Sequence, residues 1–127
     1  MVRIEKTKDF YETMCLWLSD HGWAPIQLKA LPENIFVLSN DVEDCYCCTL
    51  YETDSAFGFV AWPISNKKAT RNSYDITVLF EEIEKYAKTK GIEILFTTSG
   101  TQKIENSLVN AGYKLGDTNV NQYIKWI

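Results

Sequence analysis

At 127 residues and 46% hydrophobic, the chain has the material for one domain with a packed core. A net charge of −4 speaks against a nucleic-acid module, which needs a basic face to displace counterions from phosphate. No apolar run approaches the length needed to cross a bilayer, so no membrane segment is expected. The opening Met1-Val2-Arg3-Ile4-Glu5-Lys6 lacks the apolar stretch of a secretory signal, and a cytoplasmic setting is expected.

In chain order, residues 2–4 suit a short first strand. Residues 7–19 predict a helix, with Phe10, Met14 and Trp17 at helical spacing, Thr7 able to cap and Gly22 marking the end. Tyr11, Cys15 and Leu18 widen its apolar face. After a loop containing Pro25 and Pro32, three strands are expected at residues 34–38, 45–52 and 56–64. The polar turns Ser39-Asn40-Asp41 and Thr53-Asp54-Ser55 divide them into an antiparallel meander. The third strand is almost wholly apolar, as a strand covered on both faces should be. Pro63 near its end removes a ladder donor, so a neighbouring strand can part from it there or the strand can simply stop.

Residues 73–90 predict a helix in which Ile76, Leu79, Phe80, Ile83, Tyr86 and Ala87 recur at three and four. Glu81–Lys85 and Glu84–Lys88 are i,i+4 pairs on its outer side; Asn72 or Ser73 can cap it, and Gly91 stops it. A strand at 92–98, a short helix at 101–110 and a last strand at 119–127 complete the order. In the last strand Val120, Ile124 and Trp126 alternate with Asn121, Tyr123 and Lys125. A meander followed by α-β-α-β gives an α/β fold with a mixed sheet in a three-layer α/β/α domain spanning residues 1–127.

The four cysteines sit in a reducing setting, so disulfides are not expected. Cys45 and Cys47 would share one face of a strand and Cys48 the other, which prevents three thiols from converging on one metal; no metal site is expected. Asp41, Glu43, Asp44, Glu52 and Asp54 form an acidic middle, read as solvated turns, and Lys67, Lys68 and Arg71 a basic loop.

This order of elements resembles the GNAT superfamily of acyl-CoA-dependent N-acetyltransferases along nearly the whole chain. More narrowly, His21-Gly22-Trp23-Ala24-Pro25, Leu28 and Leu31-Pro32 are similar to motifs of small bacteriophage-encoded GNAT-like proteins. So are Gly112-Tyr113, Gly116-Asp117-Thr118-Asn119-Val120 and the closing Ile-Lys-Trp-Ile. The resemblance implies that the strands at 56–64 and 92–98 splay and admit the pantetheine arm of acetyl-CoA. Ile64, Ser65, Lys67, Lys68, Arg71, Asn72, Ser73 and Thr98 are the cofactor-binding positions it implies. The family's glycine-rich pyrophosphate turn is not matched, because 66–73 contains no glycine; Lys67, Lys68 and Arg71 can supply charge instead, or form a solvated loop without ligand.

The catalytic side departs further. The tyrosine that active relatives often carry four residues before a Gly-Phe pair is Leu108 here, the pair itself is Gly112-Tyr113, and the asparagine at the start of that helix is Thr101. Tyr113 suits the core. Base candidates for deprotonating an amine are Glu52, Asp54 and His21, with Glu33 as a further carboxylate. Two functions follow: an acetyl-CoA-dependent N-acetyltransferase of phage type with a degenerate cofactor loop and an unidentified amine acceptor, or a non-catalytic GNAT-fold module that binds a phage or host protein in the host cytoplasm or the virion.

Overall fold

The computed structural model describes residues 1–69 and 75–127. The elements run β1 (Val2–Lys6), α1 (Thr7–Asp20), a 3-10 turn (Leu28–Ala30), β2 (Asn34–Ser39), β3 (Asp44–Glu52), β4 (Phe57–Ser65), α2 (Thr77–Thr89), β5 (Ile94–Thr97) and α3 (Gln102–Asn110). The strands lie side by side in the order β1-β2-β3-β4-β5. The first four pair antiparallel, and β5 joins β4 in parallel after the α2 crossover. The expected three-layer α/β domain with its meander is therefore present.

Each face of the sheet has its own core. Phe10, Met14, Trp17 and Leu18 of α1 pack on Ile35, Val37, Cys47 and Ile64. On the opposite face Ile76, Leu79, Phe80, Ile83 and Ala87, with Leu108 of α3, pack on Phe36, Leu38, Cys48, Leu50 and Val60. This split follows the two periods of the sequence: every second residue of β2 goes to one helix layer, and the 3–4 spacing of α1 and α2 supplies the matching stripes. Gly22 and Gly91, just beyond α1 and α2, take φ of +75° and +77°, the left-handed conformation that ends a helix most cheaply at glycine.

Several expectations change in detail. Thr7 does not cap α1; the cap position is Lys6, without a side-chain bond, and the buried Thr7 hydroxyl donates to the Pro32 carbonyl at 2.6 Å. Lys85 pairs with Glu82 rather than Glu81, while Lys88 pairs with Glu84 as the spacing suggests. Cys45 joins Cys48 in the α2-side core, not Cys47. A register shift between Leu38 and Ser39 lets β3 gain a residue there, which turns Cys45 to the other face. The start of α2 at Ser73 and its cap at Asn72 or Ser73 lie outside the described residues.

The largest correction concerns the last strand. Residues 119–127 form no strand, and every residue from 114 to 127 is exposed. Alternation makes a segment amphipathic, but a strand exists only where a neighbour takes up its backbone groups. Asn119 also adopts φ 58°, a left-handed kink at the first residue of the expected run.

Packing and exposure set the scale of mutational effects. Leu79→Ala, at a fully buried position in α2, should lower unfolding free energy by about 2–5 kcal/mol. Leu115→Ala, on the exposed tail, should change it by less than about 0.5 kcal/mol. Urea denaturation followed by circular dichroism measures both.

Candidate active site

The site starts from one extra residue in β4. Cys47 lies opposite Ile64 and Thr49 opposite Ala61, so Cys48 alone faces both Trp62 and Pro63. Pro63 has no N–H to give the ladder, and Trp62 takes up the surplus with φ 59°. The Ala61 carbonyl is held by the Thr49 hydroxyl at 2.7 Å and by the Cys48 thiol at 3.3 Å. As a result Val60 and Ile64, four residues apart, pack on opposite faces of the sheet.

Beyond this point β4 loses its neighbour. Its pairing with β5 runs from Phe57 opposite Ile94 to Val60 opposite Thr97 and ends there. β4 continues for five more residues, to Ser65. The Thr97 hydroxyl donates to the Val60 carbonyl at 2.8 Å and pins the apex of the wedge. Past the apex, the β5-facing side of Ala61 to Ser65 runs about 16 Å without a strand against it among the described residues. Strand edges of this kind recruit an amide-bearing chain.

Aromatic rings floor the wedge on the α1 side. Val60 and Leu95 point into the α2-side core, so Phe59 and Phe96 project the other way. Phe96 stacks on Phe59 at 5.6 Å and lies 6.0 Å from Phe57, and Tyr51 lies 6.2 Å from Phe59. Trp62 donates from Nε1 to the Tyr51 hydroxyl at 2.9 Å, which in turn donates to the Ala30 carbonyl at 2.9 Å. Trp62, Phe57 and Phe96 remain exposed. From the sequence Trp62 was a candidate to plug the gap between the strands; the rings were not read as one surface. Pro63 inside an apolar run was the available signal, because a proline there marks a bulge.

Of the expected site residues, the structure brings His21 and Ser65 together. His21 Nε2 lies 3.0 Å from the Ser65 carbonyl and 2.9 Å from its hydroxyl, and the ring stacks on Trp23 at 4.3 Å. A carbonyl only accepts, so Nε2 carries the hydrogen in this contact. This contact ties the end of α1 to the end of β4, about 16 Å along the strand from the wedge apex. Ile64 is buried beneath it, Lys67 is exposed, and Lys68 lies 3.6 Å from Asp20. Thr98 is exposed just past β5. Arg71, Asn72 and Ser73 lie outside the described residues.

Glu52 and Asp54 fall at the opposite end of β4, on and beside the hairpin. Glu52 lies opposite Gly58 and shares with Glu33, Phe36, Leu50 and Tyr86 a cleft of about 280 Å³ on the α2 side. Glu33 is bound to Lys6 at 2.7 Å, which lowers its pKa. His21 on one side and Glu52 with Asp54 on the other therefore do not converge.

The start of α2 carries its own anion. Asp75 Oδ1 accepts from the Thr77 N–H at 2.9 Å, the Thr77 hydroxyl at 2.8 Å and the Ser107 hydroxyl at 3.0 Å. The Thr77 amide foremost, then the two hydroxyls and nearby Lys103, hold this carboxyl below its ordinary range. A carboxylate thus sits where the helix dipole would otherwise favour a ligand phosphate. In α3, Thr101 caps by accepting from the Ile104 N–H at 3.3 Å, and Leu108 is buried. Tyr113 packs edge-on to Phe80. Burial raises the pKa of its hydroxyl, which has no hydrogen-bond partner among the described residues. Burial likewise pushes the Cys48 thiol up to about 12 and that of Cys47 well above the usual range, so neither is a nucleophile.

No family model and no curated protein matches the sequence. Solved structures do match in shape. An aminoglycoside acetyltransferase from an uncultured soil metagenomic sample, in complex with sisomicin, superposes with a TM-score of 0.73 at 11% identity, over 100% of this chain and 96% of that one. A GNAT family acetyltransferase from Staphylococcus aureus superposes at 0.65 and 13% identity, covering 98% of each chain. The chain has the GNAT acetyltransferase fold. N-acetylglutamate synthase from Neisseria gonorrhoeae, complexed with coenzyme A and L-arginine, superposes at 0.66 and 19% identity, over 95% of this chain but 29% of its own. In this GNAT-fold domain the wedge, the bulge and the aromatic floor are the local features on which function can be built. Among the described residues no helix is long and apolar enough to cross a membrane.

The lowered pKa of Asp75 has a definite sign in stability. Its ionised form is favoured by folding, so its contribution is present above its ordinary value of 3.8 and is lost as pH falls through the lower folded value. Asp44, held down by the Arg3 guanidinium, acts in the same window. Urea midpoints measured against pH should drop below about pH 4. Asp75→Ala should flatten part of that drop while costing about 1 kcal/mol at neutral pH through loss of the bonds it accepts from the Thr77 N–H and the Thr77 and Ser107 hydroxyls.

Proposed function

We propose that this chain binds acetyl-CoA along β4 and transfers the acetyl group to a primary amine. The observation that carries this is the wedge: β5 leaves β4 at Val60 and Thr97, and five residues of β4 remain open on that side. The open edge suits the amide-bearing arm of the cofactor, which would lie beside Ala61 to Ser65. When bound, acetyl-CoA supplies an activated acyl thioester. The chain's own part is positional. Holding donor and acceptor in line supplies much of the rate for a reaction between two bound molecules.

The aromatic floor suits the acceptor. Tyr51, Phe59, Trp62 and Phe96 offer ring faces that attract an ammonium ion by their quadrupoles. The Trp62–Tyr51–Ala30 hydrogen bonds hold two of those groups in place, as a positioning device needs. An amine must lose its proton before it attacks. His21 lies at the Ser65 end of the wedge and Glu52 in the cleft on the α2 side, so that proton passes to water rather than directly to either.

The diphosphate end fits less well. Asp75 already occupies the N-terminal turn of α2, and Lys68 is partly engaged by Asp20. Lys67, Lys68 and Arg71 would supply the compensating charge, the last of them outside the described residues.

The same observation, with Leu108 in place of the frequent tyrosine, favours a second function: a GNAT-fold module without catalysis that binds another protein. Its setting in a bacteriophage, in host cytoplasm or virion, rests on the short motifs of the sequence.

Calorimetric titration with acetyl-CoA separates the two. Under the first, binding is saturable, Asp75→Asn tightens it roughly 3–10-fold by removing one negative charge, and mass spectrometry with a panel of primary amines finds an acetylated product. Absence of binding at millimolar acetyl-CoA would exclude the enzyme and leave the module.

A further inference from the structure

The floor of the wedge is defined as much by what it lacks as by its rings. It is carried by residues 57–62 of β4 and 94–97 of β5, and neither stretch contains a charged side chain. Phe96 and Trp62 are nevertheless 50% and 42% exposed, and Phe57 is 36% exposed. Single apolar residues on a surface are ordinary, but a contiguous group beside an opening marks a place where a ligand is received. The group is contiguous here, because Phe96 bridges Phe57 and Phe59 across the two strands.

The ring planes narrow the choice of ligand. Phe96 makes 34° with Phe57 and only 28° with Phe59, so three phenyl rings share one general orientation. A flat ring laid on the exposed side of Phe96 continues that stack, whereas a flexible chain gains contact without the ring-to-ring attraction. Trp62, held by its Nε1 bond to the Tyr51 hydroxyl, bounds the platform where the open edge of β4 begins.

Carboxylates are placed elsewhere. Glu52 lines the α2-side cleft, Glu33 is bound to Lys6, and Asp20 faces Lys68. Asp54 sits in the hairpin turn before Phe57, and Glu93, whose N–H donates to the Ala56 carbonyl at 2.8 Å, lies at that same end. From Phe57 to Val60, where the wedge opens, is about 10 Å along the strand. The strands of the floor therefore offer an incoming amine ring faces rather than an opposed carboxylate.

We infer that the acceptor is a monoamine built on a flat aromatic ring, the ring stacked on Phe96 and Phe59 and the amine reaching the mouth of the wedge beside Val60 and Thr97. This rests on the reading of the face as the acceptor side of an acetyl-CoA-dependent transfer. Phe59 adjoins Val60 in the strand, so a short linker between ring and amine suffices. The body of the acceptor, not an ion pair, is what such a floor selects. A carboxylate partner would hold the amine in its charged form, while an uncharged floor leaves the proton free to pass to water. That suits a site where His21 and Glu52 do not converge. Overall the ammonium group gains the acyl carbon and gives up two protons, one to water and one to the departing thiol sulfur.

Calorimetric titration of the full chain tests it, with phenethylamine as the probe and cyclohexylethylamine and spermine as comparisons, each with and without saturating coenzyme A. Phenethylamine should bind saturably. The cyclohexyl analogue, of equal charge and similar bulk, should bind roughly 3–10-fold more weakly, and spermine no more tightly than that. Phe96→Leu, which keeps an apolar side chain and removes the ring, should erase the preference for phenyl over cyclohexyl with an unchanged circular dichroism spectrum. Equal binding of the two ring amines by the wild type overturns the inference, and so does tighter binding of spermine. No binding at millimolar phenethylamine overturns it too, whether the floor is bare or covered by another part of the chain. A ring preference that survives Phe96→Leu overturns the assigned platform. The acetyl-CoA titration is read separately. If acetyl-CoA does not bind while the ring preference holds, the transfer reading falls and the aromatic-amine site stands; if it binds and the preference is absent, the transfer reading stands and this inference falls. The wild-type titrations decide the matter even if the variant fails to fold.

Discussion

One residue too many in β4 governs this molecule. Two antiparallel strands can pair only if their residues keep step, and at Cys48 they do not. Proline at 63 and the left-handed Trp62 take up the surplus. The strand leaves the bulge with its faces exchanged, so Ile64 reaches the α1 core while Val60 stays with α2. A strand so kinked is a poor continuing template for a straight parallel neighbour. β5 stops one residue before the kink begins, at the pair Val60 and Thr97. The opening between the two strands and the indole beside it thus share one origin.

Charge then qualifies what that opening can hold. The N-terminus of α2 has its first amide satisfied by Asp75, and Asp75 is in turn fixed by Ser107 of α3. This arrangement stabilises the helix start, joins the two helices of one layer and leaves a carboxylate at the start of α2. Lys103 of α3 adds a favourable charge to this carboxylate.

The layers of the fold were legible in the sequence because they rest on local periodicity. Leu79, Phe80 and Ile83 mark a helix face whatever lies across from them, and the meander follows from polar turns between apolar runs. His21 was legible as a residue of interest, but its contact with Ser65, 44 residues away, depends on how α1 lies across the sheet. Glu52 and Asp54 were candidates as carboxylates on the hairpin beside the central strand; that hairpin lies at the end of β4 away from His21. Tyr51, Phe59, Trp62 and Phe96 are scattered over 46 positions of the sequence. Three strands had to be placed in register before they became one surface.

The C-terminal segment marks the boundary most clearly. By its own composition the sequence determined an alternating, amphipathic run from 119 to 127 and an apolar, proline-containing strand at 56–64, since side-chain order needs no partner to exist. Only the tertiary structure decided that the first finds no strand beside it within its own chain and that the second parts from β5 after Val60. The reason is physical: a β-strand is completed by hydrogen bonds to another strand, and the identity of that neighbour is not carried in the strand itself.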